Sequence, residues 1–244
     1  MQNFVFVVPC FNEEKRFNKL SWNEVLSIPN TNWHFVNDGS KDSTEAIIEE
    51  IAKQFKNVDY YSNPKNFGKA ESIRQSFQRI LLENPDCAGL GFIDSDSAFR
   101  AVDVMRIIEE FNQKTANGNF DSVWSSRVKL AGRKINRNLN RHYIGRIISS
   151  LISFKIGDIP YDTQSGLKIF KPNQKLNKVL VEPFNTRWLF EIEIIIRWRK
   201  ENDMNVLIWE MPLHEWHEVP GSKINFRESI RIIFEFLKIM FNRI

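Results

Sequence analysis

Residues Phe4-Val5-Phe6-Val7-Val8 form an unbroken apolar run almost at the start of the chain. A strand with one wet face alternates apolar and polar residues, so a continuous run reads as a strand buried on both faces, as in parallel sheets. Such a sheet needs helices on each side, and the following segments supply them. Short strand patterns recur at Trp33–Val36, Val58–Tyr61, Leu90–Ile93 and Val123–Ser125. Helical stretches lie between them: Glu13–Leu26, a segment opened by Asp42 and Glu45 as a capping box, Gly68–Leu82, and one running to about Phe111. Ile47, Ile48, Ile51, Ala52 and Phe55 keep helical spacing in the second of these, and Ala70, Ile73, Phe77, Ile80 and Leu81 in the third. The expected fold is α/β, a mostly parallel central sheet with helices on both faces.

At 244 residues and 42% hydrophobic content the chain suffices for one full-sized domain, and no linker composition divides it. The second half is less regular. It reads as a helix over Asn138–Lys155, a strand over Gly166–Phe170, a helix over Arg187–Arg199 and an extended segment over Asn205–Pro212. Arg227–Ile244 is amphipathic: Arg227, Glu228, Arg231, Glu235 and Lys238 make a polar stripe, and Ile230, Ile233, Phe234, Leu237, Met240 and Phe241 an apolar one.

In a parallel sheet, ligands bind beyond the carboxyl ends of the strands. Asn12, Asp38 and the pair Asp94/Asp96 each follow a predicted strand, so the fold should gather them at one edge. Two carboxylates in Asp94-Ser95-Asp96 suit one hard divalent cation, Mg2+ or Mn2+, that shares its coordination with substrate phosphates. A D-x-D pair alone is also a common turn pattern; its place after an apolar strand favours the metal. Asn66-Phe67-Gly68-Lys69 opens a helix, where free N–H groups and Lys69 could meet a diphosphate, or could make an ordinary glycine turn.

Charge is unevenly spread. Ser122–Gly157 holds eight Lys/Arg and no Asp/Glu, whereas the remaining chain has 26 basic against 30 acidic residues. Such a segment suits an anionic partner or a solvated helix face. His214 and His217 lack the companions of a zinc site, and no Walker loop or G-x-S-x-G elbow is present. The residues before Phe4 carry no basic n-region or cleavage site, so no signal peptide is expected. The longest uncharged apolar-rich stretch, Ile147–Phe154, is too short to span a bilayer. With two unpatterned cysteines, a reducing, cytosolic setting is expected.

Together Val8-Pro9-Cys10-Phe11-Asn12-Glu13-Glu14, Val36-Asn37-Asp38-Gly39-Ser40-Lys41-Asp42, Asn66-Phe67-Gly68-Lys69 and Asp94-Ser95-Asp96 resemble glycosyltransferase family 2 in kind and order. Ser126-Arg127, Asp162–Phe170, the segment Arg187–Glu193, and Trp216-x-Glu218-x-x-Gly221-Ser222-Lys223 are similar to the dolichyl-phosphate β-glucosyltransferases, and more distantly to the dolichol-phosphate mannosyltransferases. Asn37 and Ser165 depart from the pattern, standing where many relatives have an acidic residue and a cysteine.

The resemblance implies a GT-A fold in one domain, residues 1–244, with a nucleotide-sugar half to about residue 125 and an acceptor half from about 126. It implies inverting transfer of a hexose, glucose from UDP-glucose, to a polyprenyl or dolichyl phosphate. Pro9, Asn12, Glu13, Asp38, Gly68, Lys69 and Asp94 would line the nucleotide-sugar site, with Ser222 and Lys223 near the diphosphate. Asp94 and Asp96 would hold Mg2+ or Mn2+, and Arg127 with Arg141 would grip the acceptor phosphate. Asp162 would be catalytic as a base or would orient arginines, and Glu191 is the other candidate base. With a lipid acceptor, Tyr143–Ile156 and Arg227–Ile244 become surface helices at the cytoplasmic face of a membrane. A hydroxyl acceptor in surface polysaccharide synthesis and a non-catalytic nucleotide-sugar sensor are the alternatives; a nucleic-acid partner is not expected, because it leaves the acidic cluster unused.

Overall fold

The computed structural model describes residues 3–116, 118, 120–137, 139–200, 207–221 and 226–241. The chain runs β1 (Phe4–Cys10), α1 (Lys19–Leu26), β2 (Thr31–Asn37), α2 (Thr44–Gln54), β3 (Val58–Ser62), α3 (Lys69–Glu83), β4 (Gly89–Ile93), α4 (Ala101–Ala116) and β5 (Ser122–Ser126). It continues with β6 (Lys134–Asn136), α5 (Leu139–Ile156), β7 (Leu167–Phe170), α6 (Gln174–Leu180), α7 (Phe190–Lys200), β8 (Ile208–Pro212), β9 (Glu215–His217) and α8 (Phe226–Met240).

Seven strands make the main sheet in the order β3-β2-β1-β4-β7-β5-β8, and β6 pairs with β9 apart from it. The pairings β1–β2, β1–β4, β2–β3 and β5–β8 are parallel. β7 runs antiparallel between β4 and β5, with Leu167 opposite Ile93 and Phe170 opposite Ser122. This reversed strand has a functional consequence: its entry loop emerges where its neighbours end.

The opening apolar run is explained by the two faces. Phe4, Phe6 and Val8 enter one core layer with Trp22, Trp33, Phe35 and Phe111. Val5 and Val7 enter the other with Ile73, Phe77, Phe92, Phe190 and Trp198. Each such side chain taken fully from water contributes about 1.5–3 kcal/mol before entropy is counted. Phe6 stacks on Trp33 with centroids 4.9 Å apart, and Phe170 meets Phe77 edge-on at 5.8 Å. A third, smaller cluster of Ile152, Leu189, Ile192 and Ile239 joins α5, α7 and α8.

Several local expectations are corrected. The first helix begins at Lys19, not Glu13, because the Asn18 side chain accepts from Ser21 N at 3.2 Å and starts it there. Asp42 and Glu45 make no capping box: Asp42 Oδ1 accepts from Thr44 N and Oγ1, while Glu45 Oε1 accepts from Ser62 Oγ. The helix expected from Arg187 starts at Phe190. The short elements β6, α6 and β9 lie in stretches that showed no clear period. Glu235, placed by periodicity on a polar stripe, is 5% exposed. Residues Asn138, Asn205 and Asn242–Ile244 lie outside the described residues.

Candidate active site

Four strand ends converge on one edge of the sheet. After β1, Asn12 adopts a left-handed conformation with φ 49°, which places its Oδ1 to accept from Lys41 N at 2.8 Å. Its own N–H donates to Ser40 Oγ, so the loops after β1 and β2 are tied together. Pro9 lies in β1 just before this turn. Glu13 is buried, and its N–H donates to Thr44 Oγ1 at 2.7 Å. Asp38 is buried too. It accepts from Phe67 N at 2.9 Å, Gly68 N at 2.7 Å and Asn63 Nδ2 at 2.9 Å. Its carboxylate therefore holds the glycine loop that opens α3 against the end of β2. Asn37 Oδ1 accepts from Ser40 N, and its Nδ2 donates to Ser62 Oγ.

Gly68 has φ 97°, a region closed to most side chains. A Cβ here would also stand 2.9 Å from Arg187 Cζ, so glycine is required twice over. Arg187 donates to Asn66 Oδ1 from the far side of the same loop. Lys69 follows, and its Nζ meets Asp94 Oδ1 at 2.6 Å. Burial works against the Lys69 charge, but Asp94 and Glu191 outweigh it and raise the lysine's pKa.

Asp94 and Asp96 leave β4 side by side. Asp96 Oδ2 accepts from Arg16 at 2.6 Å and Oδ1 from Ala98 N at 3.2 Å. Trp22 Nε1 donates to Ser95 O between them. Burial first, and the neighbouring Asp94 charge second, push the Asp96 carboxyl up to about 6. Two crowded carboxylates with oxygen-only donors suit a hard divalent cation. Among the described residues no group of three or more His, Cys, Asp or Glu is placed to hold a metal ion alone. The donor set therefore fits a cation that takes its remaining ligands from a substrate phosphate and water, as Mg2+ does.

The antiparallel β7 brings the second half of the chain to the same carboxylates. Asp94 N donates to Gly166 O at 2.9 Å. Asp162, four residues earlier, is buried and binds Arg127 in bidentate fashion: Nε to Oδ2 at 2.7 Å and Nη2 to Oδ1 at 2.8 Å. Arg127 N adds a third bond at 2.9 Å, and Arg137 approaches Oδ2 at 3.6 Å. Burial would raise the Asp162 pKa; the Arg127 guanidinium reverses this and holds it well below the usual carboxylate range. A carboxylate so held is a weak proton acceptor and a good clamp for arginines. Arg146 stacks on Tyr161 at 3.7 Å and donates to Tyr161 O, and Trp216 lies under Arg127 at 5.2 Å. The backbone of Arg141 lies in α5; its side chain, and all of Ser222 and Lys223, fall outside the described residues.

Beside these groups lies a buried ion pair that joins Glu191, a candidate base in the sequence, to Lys168, which the sequence left without a role. Lys168 of β7 sits 3.6 Å from Glu191 of α7, and its Nζ donates to Ser165 O. Burial brings the lysine down to about 8 and raises the Glu191 pKa despite Lys168 beside it. Gln164 Nε2 donates to Glu191 Oε2 at 3.2 Å, and Ser165 Oγ meets Ser125 Oγ at 2.6 Å. The signal for this pair was available: a lysine inside Leu167-Lys168-Ile169-Phe170 has no wet face in a sheet covered on both sides. Arg16 and Arg137 had no such signal, since both sit in irregular polar segments.

Comparison with known proteins identifies relatives of the chain and of its fold. The dolichyl-phosphate beta-glucosyltransferase ALG5A of Trichomonas vaginalis is 27% identical over 98% of this chain and 73% of its own length. A UDP-N-acetylglucosamine–dolichyl-phosphate N-acetylglucosaminyltransferase of Methanococcus voltae is 27% identical over 85% of this chain and 83% of its own. Among solved structures, glucosyl-3-phosphoglycerate synthase of Mycobacterium tuberculosis, in complex with Mn2+, UDP-glucose and phosphoglyceric acid, superposes with a TM-score of 0.69. It covers 99% of this chain and 79% of its own, at 17% identity. The shared fold is GT-A. The model of Glycosyl transferase family 2 matches residues 5–190, which take in the carboxylate pair, the loops that flank it and the arginine clamp. On that match the chain belongs to glycosyltransferase family 2 and is a glycosyltransferase.

Proposed function

We propose that this enzyme transfers a hexose, glucose from UDP-glucose, to a polyprenyl phosphate with inversion, and that it uses Mg2+ or Mn2+. The observation that carries the reading is the pairing of two opposite charge sets across the β4–β7 seam. Asp94 and Asp96 stand on one side, and the Arg127–Asp162–Arg137 cluster on the other. The names of the Trichomonas and Methanococcus relatives support the lipid-phosphate acceptor, and the Mycobacterium complex supports a metal-assisted UDP-sugar donor.

In this reading Asn12, Glu13 and Pro9 shape the nucleotide pocket, Asp38 holds the Gly68 loop, and Lys69 faces the donor diphosphate. Asp94 and Asp96 would hold the cation, which when bound supplies positive charge to the departing diphosphate. A phosphate monoester loses its second proton near pH ~6 and arrives as a nucleophile, so no base has to deprotonate it. The task left to the protein is to hold one anion beside another, which arginine does better than a carboxylate. One acceptor phosphate oxygen attacks the anomeric carbon. The carbon–oxygen bond to UDP breaks on the opposite face, and the configuration inverts. Asp162 then serves as the group that orients Arg127, and Arg141, Ser222 and Lys223 remain candidate phosphate contacts.

Peripheral attachment at a cytoplasmic membrane face follows from the same acceptor. Among the described residues no helix is long and apolar enough to cross a membrane. Instead Tyr143, Ile147, Leu151 and Phe154 of α5, and Ile230, Ile233, Phe234 and Phe241 on or just after α8, are exposed. Lys155 of α5 donates to Ile239 O and Met240 O, which joins the two helices into one unit.

The test is an assay of purified protein with labelled nucleotide sugars, polyprenyl phosphate in detergent, and Mg2+ or Mn2+ against EDTA. The expected product is lipid-extractable and acid-labile and disappears with EDTA. Asp96→Asn should keep the fold and lose about 100-fold or more in turnover; unchanged turnover would remove the metal assignment. Transfer to a glycan hydroxyl alone would remove the acceptor assignment, and UDP-sugar binding without turnover would leave a sensor.

A further inference from the structure

Glu235 of α8 is an acid with an unusual position. It is buried, yet it forms no ion pair among the described contacts. Instead its carboxylate accepts three successive backbone N–H groups: Arg187 at 2.9 Å, Trp188 at 2.9 Å and Leu189 at 3.1 Å. These residues lead directly into α7, which starts at Phe190. The three amides end at Leu189, the N-cap of α7, beside the positive dipole end of that helix, so a carboxylate is a strong match for them. Here that carboxylate comes from another helix. Trp188 Nε1 adds a further tie to Glu228, about two α8 turns before Glu235, at 2.5 Å.

The amides that Glu235 holds belong to the segment that touches the donor loop. Arg187 lies against Gly68 and donates to Asn66, and Lys69 next along reaches Asp94. Beside this contact, α8 and the start of α3 do not pack closely. A cavity of about 250 Å³ separates them, lined by Phe67, Glu71, Arg187, Arg231, Phe234 and Lys238. The link from α8 to the loop is thus concentrated in a few hydrogen bonds rather than spread over a packed face. Beside the cavity-lining face, the same helix exposes Ile230, Ile233 and Leu237.

We propose that Glu235 is a positioning residue for the donor site, through which the seating of α8 on an anionic lipid surface sets the Asn66–Lys69 loop for the nucleotide diphosphate. The proposal rests on the reading above that this loop takes the donor and that α8 meets lipid. Seating of α8 fixes the carboxylate; the carboxylate fixes the Arg187–Leu189 amides; Arg187 fixes the loop. A protein away from a membrane would then bind its donor less tightly, which keeps the UDP-sugar from being committed where no carrier lipid is within reach.

The experiment is calorimetric titration of the full chain with UDP and Mn2+, with and without vesicles of phosphatidylcholine and phosphatidylglycerol. Vesicles should tighten UDP binding to the wild type by about fivefold or more, the usual scale of coupling between two sites. Glu235→Gln keeps the side-chain volume, loses the charge and should lose that response, and Glu235→Asp should recover part of it. Ile239→Val, which loosens the same helix in its buried cluster without touching the cap, should respond like wild type. Hydrogen exchange at the Arg187–Leu189 amides should slow on adding vesicles, a readout that needs no variant. A wild type indifferent to vesicles, or a Glu235→Gln protein that responds in full, overturns the proposal. Lys69→Ala separates the two readings: if it binds UDP as tightly as wild type, the donor-site assignment falls and the proposal with it. If it binds weakly while the Glu235 variants behave as wild type, the proposal falls alone.

Discussion

Gly166 measures how tightly the two halves of the site are joined. A Cβ at this position would stand 1.9 Å from Asp94 Oδ2 and 2.2 Å from Asp94 Cγ, so any side chain must displace the carboxylate. Gly166→Ala is therefore expected to leave the sheet intact and to lower turnover about 100-fold, the effect of an error near 1 Å in a reacting group. Comparing kcat and the Mn2+ concentration for half-maximal rate with those of wild type checks this; two unchanged values would mean that Asp94 does not hold the cation. Arg127→Ala should raise KM for polyprenyl phosphate far more than KM for the UDP-sugar, and equal effects on both would place Arg127 outside the acceptor site. At this scale the sequence was informative where chemistry sits at strand ends, as for Asp38, Asp94 and Asp96. It was silent on Gly166 meeting Asp94, because that contact depends on β7 running backwards between two strands, which no local pattern encodes.

The elements were legible in proportion to their periodicity. β1 to β5 and α2 to α4 are long or strongly patterned and follow expectation to within a few residues. The stretches that misled were those where side-chain capping marks the start of a helix. Asn18 starts α1 late, and the Arg187–Leu189 amides ahead of α7 are capped by Glu235 from α8. α5 shows what periodicity reads less well, because one face packs and the opposite face does not. Ile152 is wholly buried against α7 and α8, whereas Phe154 is 95% exposed. Taking so exposed a phenylalanine out of lipid loses about 2 kcal/mol of transfer energy, and an aspartate in its place adds repulsion from anionic head groups. Phe154→Asp should thus cut recovery of the protein with floated anionic vesicles severalfold while its melting temperature stays near the wild-type value. Full recovery with vesicles would move the lipid contact away from α5.

At the scale of the whole molecule, the fold brings together charges that lie far apart in sequence, and Asp162, paired with Arg127, is one place where they meet. Besides binding Arg127, Asp162 donates its own N–H to Glu210 Oε1 of β8 at 2.7 Å, and Tyr161 N donates to Oε2 at 2.8 Å. One loop thereby fastens β5, β7 and β8. Asp162→Asn would leave Arg127 without its charge partner in a site with little water, a loss of about 3 kcal/mol for a buried pair broken on one side. The sign of its pH dependence follows from the direction of the shift. The folded protein holds Asp162 ionised well below the 3.8 of the unfolded chain, so the unfolded state binds the proton first as acid is added. The stability this carboxylate contributes is complete above that value and drains away below it, toward the lower folded-state pKa. Urea unfolding of wild type and Asp162→Asn should show a constant gap from pH 7 down to about pH 5 and a narrowing gap below about pH 4. A gap that stays the same into acid would mean that Arg127 is held by packing on Trp216 and the surrounding chain rather than by the carboxylate. The Arg127 side of the site would then be positioned without the ion pair.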